Sequence, residues 1–121
     1  MRKSLCLAIV LGLFGAPAYG GESDVIDVKV VKQGAGSYRF DVTLRHADTG
    51  WKHYANAFEV LGPDGKSFGK RVLYHPHVNE QPFTRSLSGV KIPKEINMVT
   101  IRAHDNMHET GGREMQVKLP R

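Results

Sequence analysis

The most restrictive feature of this sequence is its two-residue period, because apolar and polar side chains alternate along most of residues 21–121. Phe40, Val42 and Leu44, for example, are separated by single polar residues. Such an alternation places the apolar side chains on one face of a β-strand, whereas an amphipathic helix needs a period of 3.6 residues. No long stretch shows that helical period. The sequence therefore predicts an all-β protein.

Turn sequences divide the alternating region into seven segments at intervals of about 8 to 12 residues. Gly34-Ala35-Gly36-Ser37 and Gly62-Pro63-Asp64-Gly65 have the composition of tight turns. In the first segment, Ile26, Val28 and Val30 are expected on one face. The expected strands cover residues 26–30, 39–45, 54–61, 67–75, 83–90, 99–103 and 115–119. This pattern predicts a single seven-stranded β-sandwich that resembles immunoglobulin and fibronectin type III domains, without the Cys and Trp hallmarks of antibody domains.

The amino-terminal end is typical of a secretory signal peptide. Arg2 and Lys3 precede an apolar run at residues 5–14, and small residues then permit cleavage after Ala18 or Gly20. The apolar run is too short for a permanent membrane-spanning helix. We therefore expect a periplasmic or secreted protein. The expected domains are a signal peptide at residues 1–20 and the β-sandwich at residues 21–121.

Cys6 is the only cysteine in the chain and lies within the expected signal peptide. The mature protein would then contain no thiol, which excludes a disulfide scaffold, a thiol redox site and a thiolate-bound copper centre. Cys6 lies at the start of the apolar run, before its core, whereas the cysteine of a lipoprotein signal follows the run. No lipid anchor or other stable membrane attachment is therefore expected.

Charge and motifs exclude further classes of function. Without Arg2 and Lys3 the chain has 15 basic and 12 acidic residues, and the two signs are interspersed without a basic block. Such a surface is typical of a solvated domain rather than of a nucleic-acid-binding protein. The sequence has no GxSxG, HExxH or phosphate-binding loop, and a bare sandwich of this size offers little concavity for a substrate. We therefore expect a protein that is not an enzyme.

All six histidines lie in or beside three expected connections between strands. If the seven strands run alternately up and down, the second, fourth and sixth connections share one end of the sandwich. Imidazole binds transition metals and titrates near neutral pH, so this clustering predicts a metal site at that end. The pairs are His46 with His53, His75 with His77, and His104 with His108.

The sharpest local motif is His75-Pro76-His77. Proline fixes its own φ and disfavours a helical conformation at the preceding residue, so the tripeptide should be extended. Residues i and i+2 of an extended chain point to the same side, about 6.5 Å apart at Cα, and two imidazoles can then converge on one ion. The alternative is an exposed strand end with a turn proline.

A second cluster of donors follows the sixth expected strand, at residues 104–109. It offers imidazole, thioether and carboxylate groups, which favours copper first and zinc next. The predicted ligands are His75, His77, His104 and His108, with Met107 as an accessory ligand. The further candidates, as additional ligands or as groups that orient the imidazoles, are His46, His53, Glu80, Asp105 and Glu109. His46 lies two residues after Leu44 and therefore has the same parity, which means that it faces the same side of the strand, so it could instead close the core.

The run from His75 to Leu87, HPHVNEQPFTRSL, resembles an HPHxxEQPFTRS-type motif of small secreted bacterial proteins with one immunoglobulin-like domain. Those proteins are uncharacterised, so the resemblance implies no activity. From the residues alone we predict an exported protein that carries, buffers or delivers a transition metal ion.

The alternative prediction is a periplasmic interaction module that binds another exported protein without metal. In that case the three histidine-bearing connections would form one polar surface that includes Trp51, Asn79 and Arg85. Trp51 and Tyr54 are expected to close the core, whereas an exposed Trp51 would indicate an interface.

Overall fold

The computed structural model describes residues 22–108 and 110–121, so the expected signal peptide and Glu109 lie outside the described residues. Seven strands form two antiparallel sheets, in the orders β1-β2-β5 and β4-β3-β6-β7. The strands are β1 (Asp24–Gly34), β2 (Ser37–Arg45), β3 (Ala55–Leu61), β4 (Ser67–Val72), β5 (Phe83–Lys91), β6 (Met98–Asp105) and β7 (Met115–Lys118). The described residues form no helix, which confirms the all-β prediction. These residues therefore also contain no helix long and apolar enough to cross a membrane.

The hydrophobic core lies between the two sheets, where the inward rows of β2 and β6 are buried. In β2 every second side chain from Tyr38 to Leu44 is buried, and in β6 the inward row runs from Val99 to Ala103. Full burial of one such large apolar side chain stabilises the fold by about 1.5–3 kcal/mol. The alternation in the sequence therefore fixes which side chains face the core.

The first strand departs from simple alternation because it contains a bulge. The pairing register between β1 and β2 shifts between Val25 and Asp27. Val25 is fully buried, Ile26 is only partly buried, and Val28 and Val30 pack against the core. The expectation that Ile26 shares a face with Val28 was wrong, since an extra residue in a bulged strand reverses the parity on either side of it.

The three histidine-bearing connections meet at one end of the sandwich, which we call the histidine pole: residues 46–54, 73–82 and 106–114. The start of β1 lies at the same end, because the Val25 amide donates to the Arg113 carbonyl over 2.8 Å. At Gly112, a Cβ would lie 1.9 Å from the Ser23 carbonyl oxygen. Glycine is required there for the close approach of β1 to the connection that follows β6.

Candidate metal centre

Two polar residues extend the inward rows of the core into the histidine pole. His46 lies two residues beyond Leu44, and Asp105 lies two residues beyond Ala103, so both keep the inward parity of their strands. Each is only 2% exposed. His46 continues from the three-stranded sheet and Asp105 ends β6 of the four-stranded sheet, so the two side chains meet across the sandwich.

His53 completes a compact set of donor atoms with these two residues. Its Nε2 lies 3.1 Å from His46 Nε2 and 3.7 Å from Asp105 Oδ1, and His46 Nε2 lies 3.7 Å from Asp105 Oδ2. An ion bound tetrahedrally at about 2.0–2.1 Å separates its ligand atoms by about 3.3 Å. The three side chains therefore have the spacing of a metal-binding group.

His108 lies beside this set, and its Nδ1 is 3.3 Å from both carboxylate oxygens of Asp105. Its ring centroid is 4.9 Å from that of His53. Asp105 Oδ1 also accepts the amides of Met107 over 2.8 Å and of His108 over 2.5 Å, which shapes the turn after β6. His108 is thereby held against Asp105, beside the group of His46, His53 and Asp105.

Asp48 holds His46 from the side opposite the cluster. Its Oδ1 accepts a hydrogen bond from His46 Nδ1, so in the neutral form of the ring the proton lies on Nδ1 and the Nε2 lone pair faces His53 and Asp105. The Asp48 carboxylate also accepts the amides of Ala55, over 3.1 Å, and of His77, over 2.6 Å. One buried carboxylate therefore joins two of the three connections.

Two buried carboxylates lie at or beside the histidine pole. The side chains of Asp48 and Asp105 are 0% and 1% exposed, and in the described part of the chain their ion pairs are with histidines alone. A buried carboxylate is unfavourable unless a positive charge or hydrogen bonds compensate it. Hydrogen bonds compensate both carboxylates in part, and a divalent ion between His46, His53 and Asp105 would add a positive charge.

His104 does not join this cluster, because adjacent residues of a strand point to opposite faces. Asp105 faces the core, so His104 faces outward, where its Nε2 lies 2.7 Å from Glu59 Oε1. Burial raises the pKa of Glu59, but the hydrogen bonds from His104 and Ser67 and the charges of His104 and Lys70 together hold that pKa below its usual value. His104 therefore serves an ion pair on the outer face of its sheet.

The imidazoles of His75 and His77 also lie apart from the cluster. His77 is 5% exposed, stacks on Phe83 at a centroid distance of 3.9 Å, and accepts a hydrogen bond at Nε2 from Arg85 Nη2 over 3.0 Å. Its Nδ1 is buried without a hydrogen-bond partner among the residues described. Burial lowers the pKa of His77, and the Arg85 charge lowers it further. His75 is exposed, and its ring centroid lies 4.8 Å from that of His77.

The remaining predicted site residues lie on the surface of the pole. Glu80 is exposed and accepts a hydrogen bond from Arg85 over 3.3 Å, so it orients Arg85 rather than an imidazole. Asn79 is exposed as well, and Met107 is 62% exposed. Glu109 lies outside the described residues.

The expectation that Trp51 closes the core was wrong, because Trp51 is 66% exposed. Its ring meets Tyr54 edge to face at a centroid distance of 5.6 Å. Asn106 joins the connection after β2 to the connection after β6, because its side chain donates to the Trp51 carbonyl over 3.1 Å and accepts the Tyr54 amide over 2.8 Å. The aromatic surface therefore lies next to the residues of the candidate metal centre.

Sequence reasoning placed His46, His53 and Asp105 among the secondary candidates, whereas the structure brings these three together. The signal that identifies two of them is parity. His46 and Asp105 are the polar residues that follow an uninterrupted inward row, and a buried polar residue in that position needs a partner across the core. No comparable pattern identifies His53, which lies in a connection.

Comparisons with known proteins agree with an all-β fold and give no family. No family model matches the sequence. The chain is 38% identical over 96 residues, or 79% of its length, to a protein of Halomicrobium mukohataei named "Putative lipoprotein". It spans about half of that relative, 47% of its length.

Two solved structures share the fold. A hypothetical protein of Pyrococcus horikoshii OT3 has a TM-score of 0.54 at 15% identity, over 82% of this chain and 90% of its own. A superoxide reductase (neelaredoxin) of Archaeoglobus fulgidus in the reduced form has a TM-score of 0.52 at 12% identity, over 90% of this chain and 98% of its own. At such low identity the likeness concerns the fold alone. Since one of these proteins is named as an enzyme, the fold itself does not exclude catalysis.

Proposed function

We propose that this chain is an exported protein that binds a divalent transition metal ion through His46, His53 and Asp105, with His108 as a fourth donor. The observation that carries the proposal is that one donor atom from each of the first three residues lies within 4.8 Å of the others, with the two histidine nitrogens 3.1 Å apart. The buried, histidine-paired carboxylates support it. The signal-like amino terminus and the lipoprotein name of the relative support export.

The donor set favours copper(II) first and zinc(II) next. Imidazole and carboxylate suit both ions, and copper(II) generally binds more tightly than zinc(II) to a given site of nitrogen and oxygen donors. The site opens to solvent on one side, because the side chains of His53 and His108 are 19% and 31% exposed while His46 is buried. An ion can therefore enter and leave without opening of the core, which suits carriage, buffering or delivery.

The direct test is calorimetric titration of the untagged mature protein with Cu(II), Zn(II), Ni(II) and Fe(II). We expect the parent to bind one ion per chain. In His53→Ala the affinity should fall by at least about 100-fold, which is more than usually follows when a residue that only hydrogen-bonds to a ligand is removed. His104→Ala is the matched control, because its imidazole also meets a carboxylate but faces outward; it should bind as the parent does. Unchanged binding in His53→Ala, or a loss of about 100-fold or more in a His75→Gln, His77→Phe double variant, which keeps the ring stacked on Phe83, would contradict this ligand set.

A second candidate function is reduction of superoxide. Two histidines and one carboxylate form the donor set of many non-haem Fe(II) centres, and one of the fold's neighbours is named a superoxide reductase. His46, His53 and Asp105 would hold Fe(II), which would supply one electron and become Fe(III), so that superoxide with two protons would yield hydrogen peroxide. The test is whether the Fe(II)-loaded protein, but not its His53→Ala variant, forms one peroxide per superoxide consumed.

The exposed Trp51 favours a surface for another exported protein, either as the acceptor of the ion or as a metal-independent partner. Large aromatic residues are enriched at the centres of protein interfaces. Capture of a partner by metal-free protein, with no metal binding in the titration, would favour an interaction module over metal carriage.

A further inference from the structure

Asp48 is a buried charged residue beside the metal-binding group, and its hydrogen-bond donors come from three parts of the chain. Its side chain is fully buried, and its carboxylate accepts hydrogen bonds from three places in the chain. One donor is the His46 ring, the second is the Ala55 amide at the start of β3, and the third is the His77 amide in the connection after β4. The carboxylate is therefore held in one orientation by two main-chain amides.

We propose that Asp48 is a positioning residue of the metal centre, and the proposal rests on the function proposed above. A neutral imidazole carries its proton on either nitrogen, and only the nitrogen without a proton can bind an ion. Because the Asp48 carboxylate accepts the Nδ1 proton of His46, the lone pair of Nε2 points towards His53 and Asp105. Hydrogen-bonding partners of this kind commonly fix the tautomer and orientation of metal-binding histidines.

The same geometry gives the His75-Pro76-His77 motif a role that does not use its imidazoles as ligands. The main-chain amide of His77 lies 2.6 Å from Asp48 Oδ2. The ring of His77 stacks on Phe83, which fixes the position of this stretch of backbone. The motif therefore acts on the centre through the backbone, by orienting the carboxylate that orients His46.

The experiment compares the parent protein with Asp48→Asn and uses two measurements. Long-range ¹H–¹⁵N correlation spectra of the metal-free protein report which ring nitrogen of His46 carries the proton, and calorimetry reports the affinity for Zn(II) and Cu(II). In the parent we expect the proton on Nδ1. In Asp48→Asn the single amide oxygen cannot accept from all three donors, so we expect the Nδ1 preference to be lost and the affinity to fall by about 10- to 100-fold.

One variant serves as a control, and a second tests whether the imidazole of His77 is itself a ligand. Asp64 accepts the Lys66 amide over 3.0 Å in the turn between β3 and β4, at the opposite end of the sandwich, so Asp64→Asn should change neither measurement. His77→Phe keeps the amide and the stacking on Phe83 but removes the imidazole nitrogens. It should keep both the His46 tautomer and the metal affinity within about threefold, whereas a ligand role for His77 would require a far larger loss.

The metal-free spectra separate this proposal from the function on which it rests. A parent protein with the His46 proton on Nε2 overturns the role of Asp48 without any variant, and so does an Asp48→Asn variant with an unchanged tautomer and affinity. If the parent binds no metal, the proposed function fails, and the spectra still show whether Asp48 orients His46.

Discussion

At the scale of single residues, the chemistry of the pole depends on which atom of each ring is already engaged. His46 uses Nδ1 for Asp48 and leaves Nε2 facing other donor atoms, whereas His77 uses Nε2 for Arg85 and buries Nδ1. Both rings are buried, yet only the first is placed to bind an ion. Sequence reasoning could place the six histidines in or beside three connections at one end of the sandwich, but the direction of each ring depends on neighbours from other strands.

His77 should make the stability of the metal-free protein depend on pH. Burial, with help from the Arg85 charge, lowers the pKa of His77 below its usual value of 6.5. The unfolded chain then binds more protons than the folded chain below about pH 6.5. The contribution of His77 is therefore fully present above that pH, and it declines as the pH falls towards the lower pKa of the folded state.

We expect His77→Phe to flatten this dependence, because phenylalanine cannot be protonated. At pH 7.5 the variant should be as stable as the parent or slightly more stable, since it removes a buried nitrogen without a partner in the described structure. The measurement is urea unfolding between pH 5.5 and 7.5 in the presence of a chelator. His75→Gln, at an exposed site, is the control; an identical slope in His77→Phe and the parent would refute this role.

At the scale of elements, alternation predicted the strands well because each sheet has one face on the core. The parity argument failed in β1, where the bulge between Val25 and Asp27 shifts the register, since a bulge leaves no clear mark in the apolar pattern. It was informative in β2 and β6, where it could have marked His46 and Asp105. Connections carry no period, and the convergence of His53 and His108 on these residues was therefore beyond sequence reasoning.

Gly112 provides a test of how the connection after β6 is fixed to β1. A Cβ at this position would lie 1.9 Å from the Ser23 carbonyl oxygen, a backbone atom that cannot move away without shifting β1. We expect Gly112→Ala to lower the free energy of unfolding by about 1–3 kcal/mol, as overpacking commonly does. Chemical denaturation of the metal-free protein measures this change.

Gly34→Ala is the matched control, because a Cβ at Gly34 meets no atom within 4 Å. It should leave the free energy of unfolding unchanged within about 0.5 kcal/mol. Equal stability of the two variants would show that the start of β1 does not lie as close to Gly112 as the structure places it.

At the scale of the whole molecule, a bound ion would connect the two sheets. His46 follows β2 of the three-stranded sheet and Asp105 ends β6 of the four-stranded sheet. An ion that binds only the folded state adds about 2.7 kcal/mol when its free concentration is 100 times the dissociation constant. For a domain of about 100 residues, that corresponds to a rise in Tm of about 10–20 °C.

Thermal unfolding with and without Zn(II) measures this effect. The parent and His104→Ala should show the rise, and a chelator should reverse it. His53→Ala should lack it, because its ligand set is incomplete. A similar rise in His53→Ala would place the stabilising ion elsewhere in the molecule.

The most direct test of the metal centre is anomalous diffraction from crystals of the untagged protein grown with one equivalent of Zn(II), with data collected on both sides of the zinc absorption edge. We predict one strong anomalous peak within about 2.3 Å of His46 Nε2, His53 Nε2 and an oxygen of Asp105. A peak at the imidazoles of His75 and His77, or no peak at the histidine pole, would contradict the account.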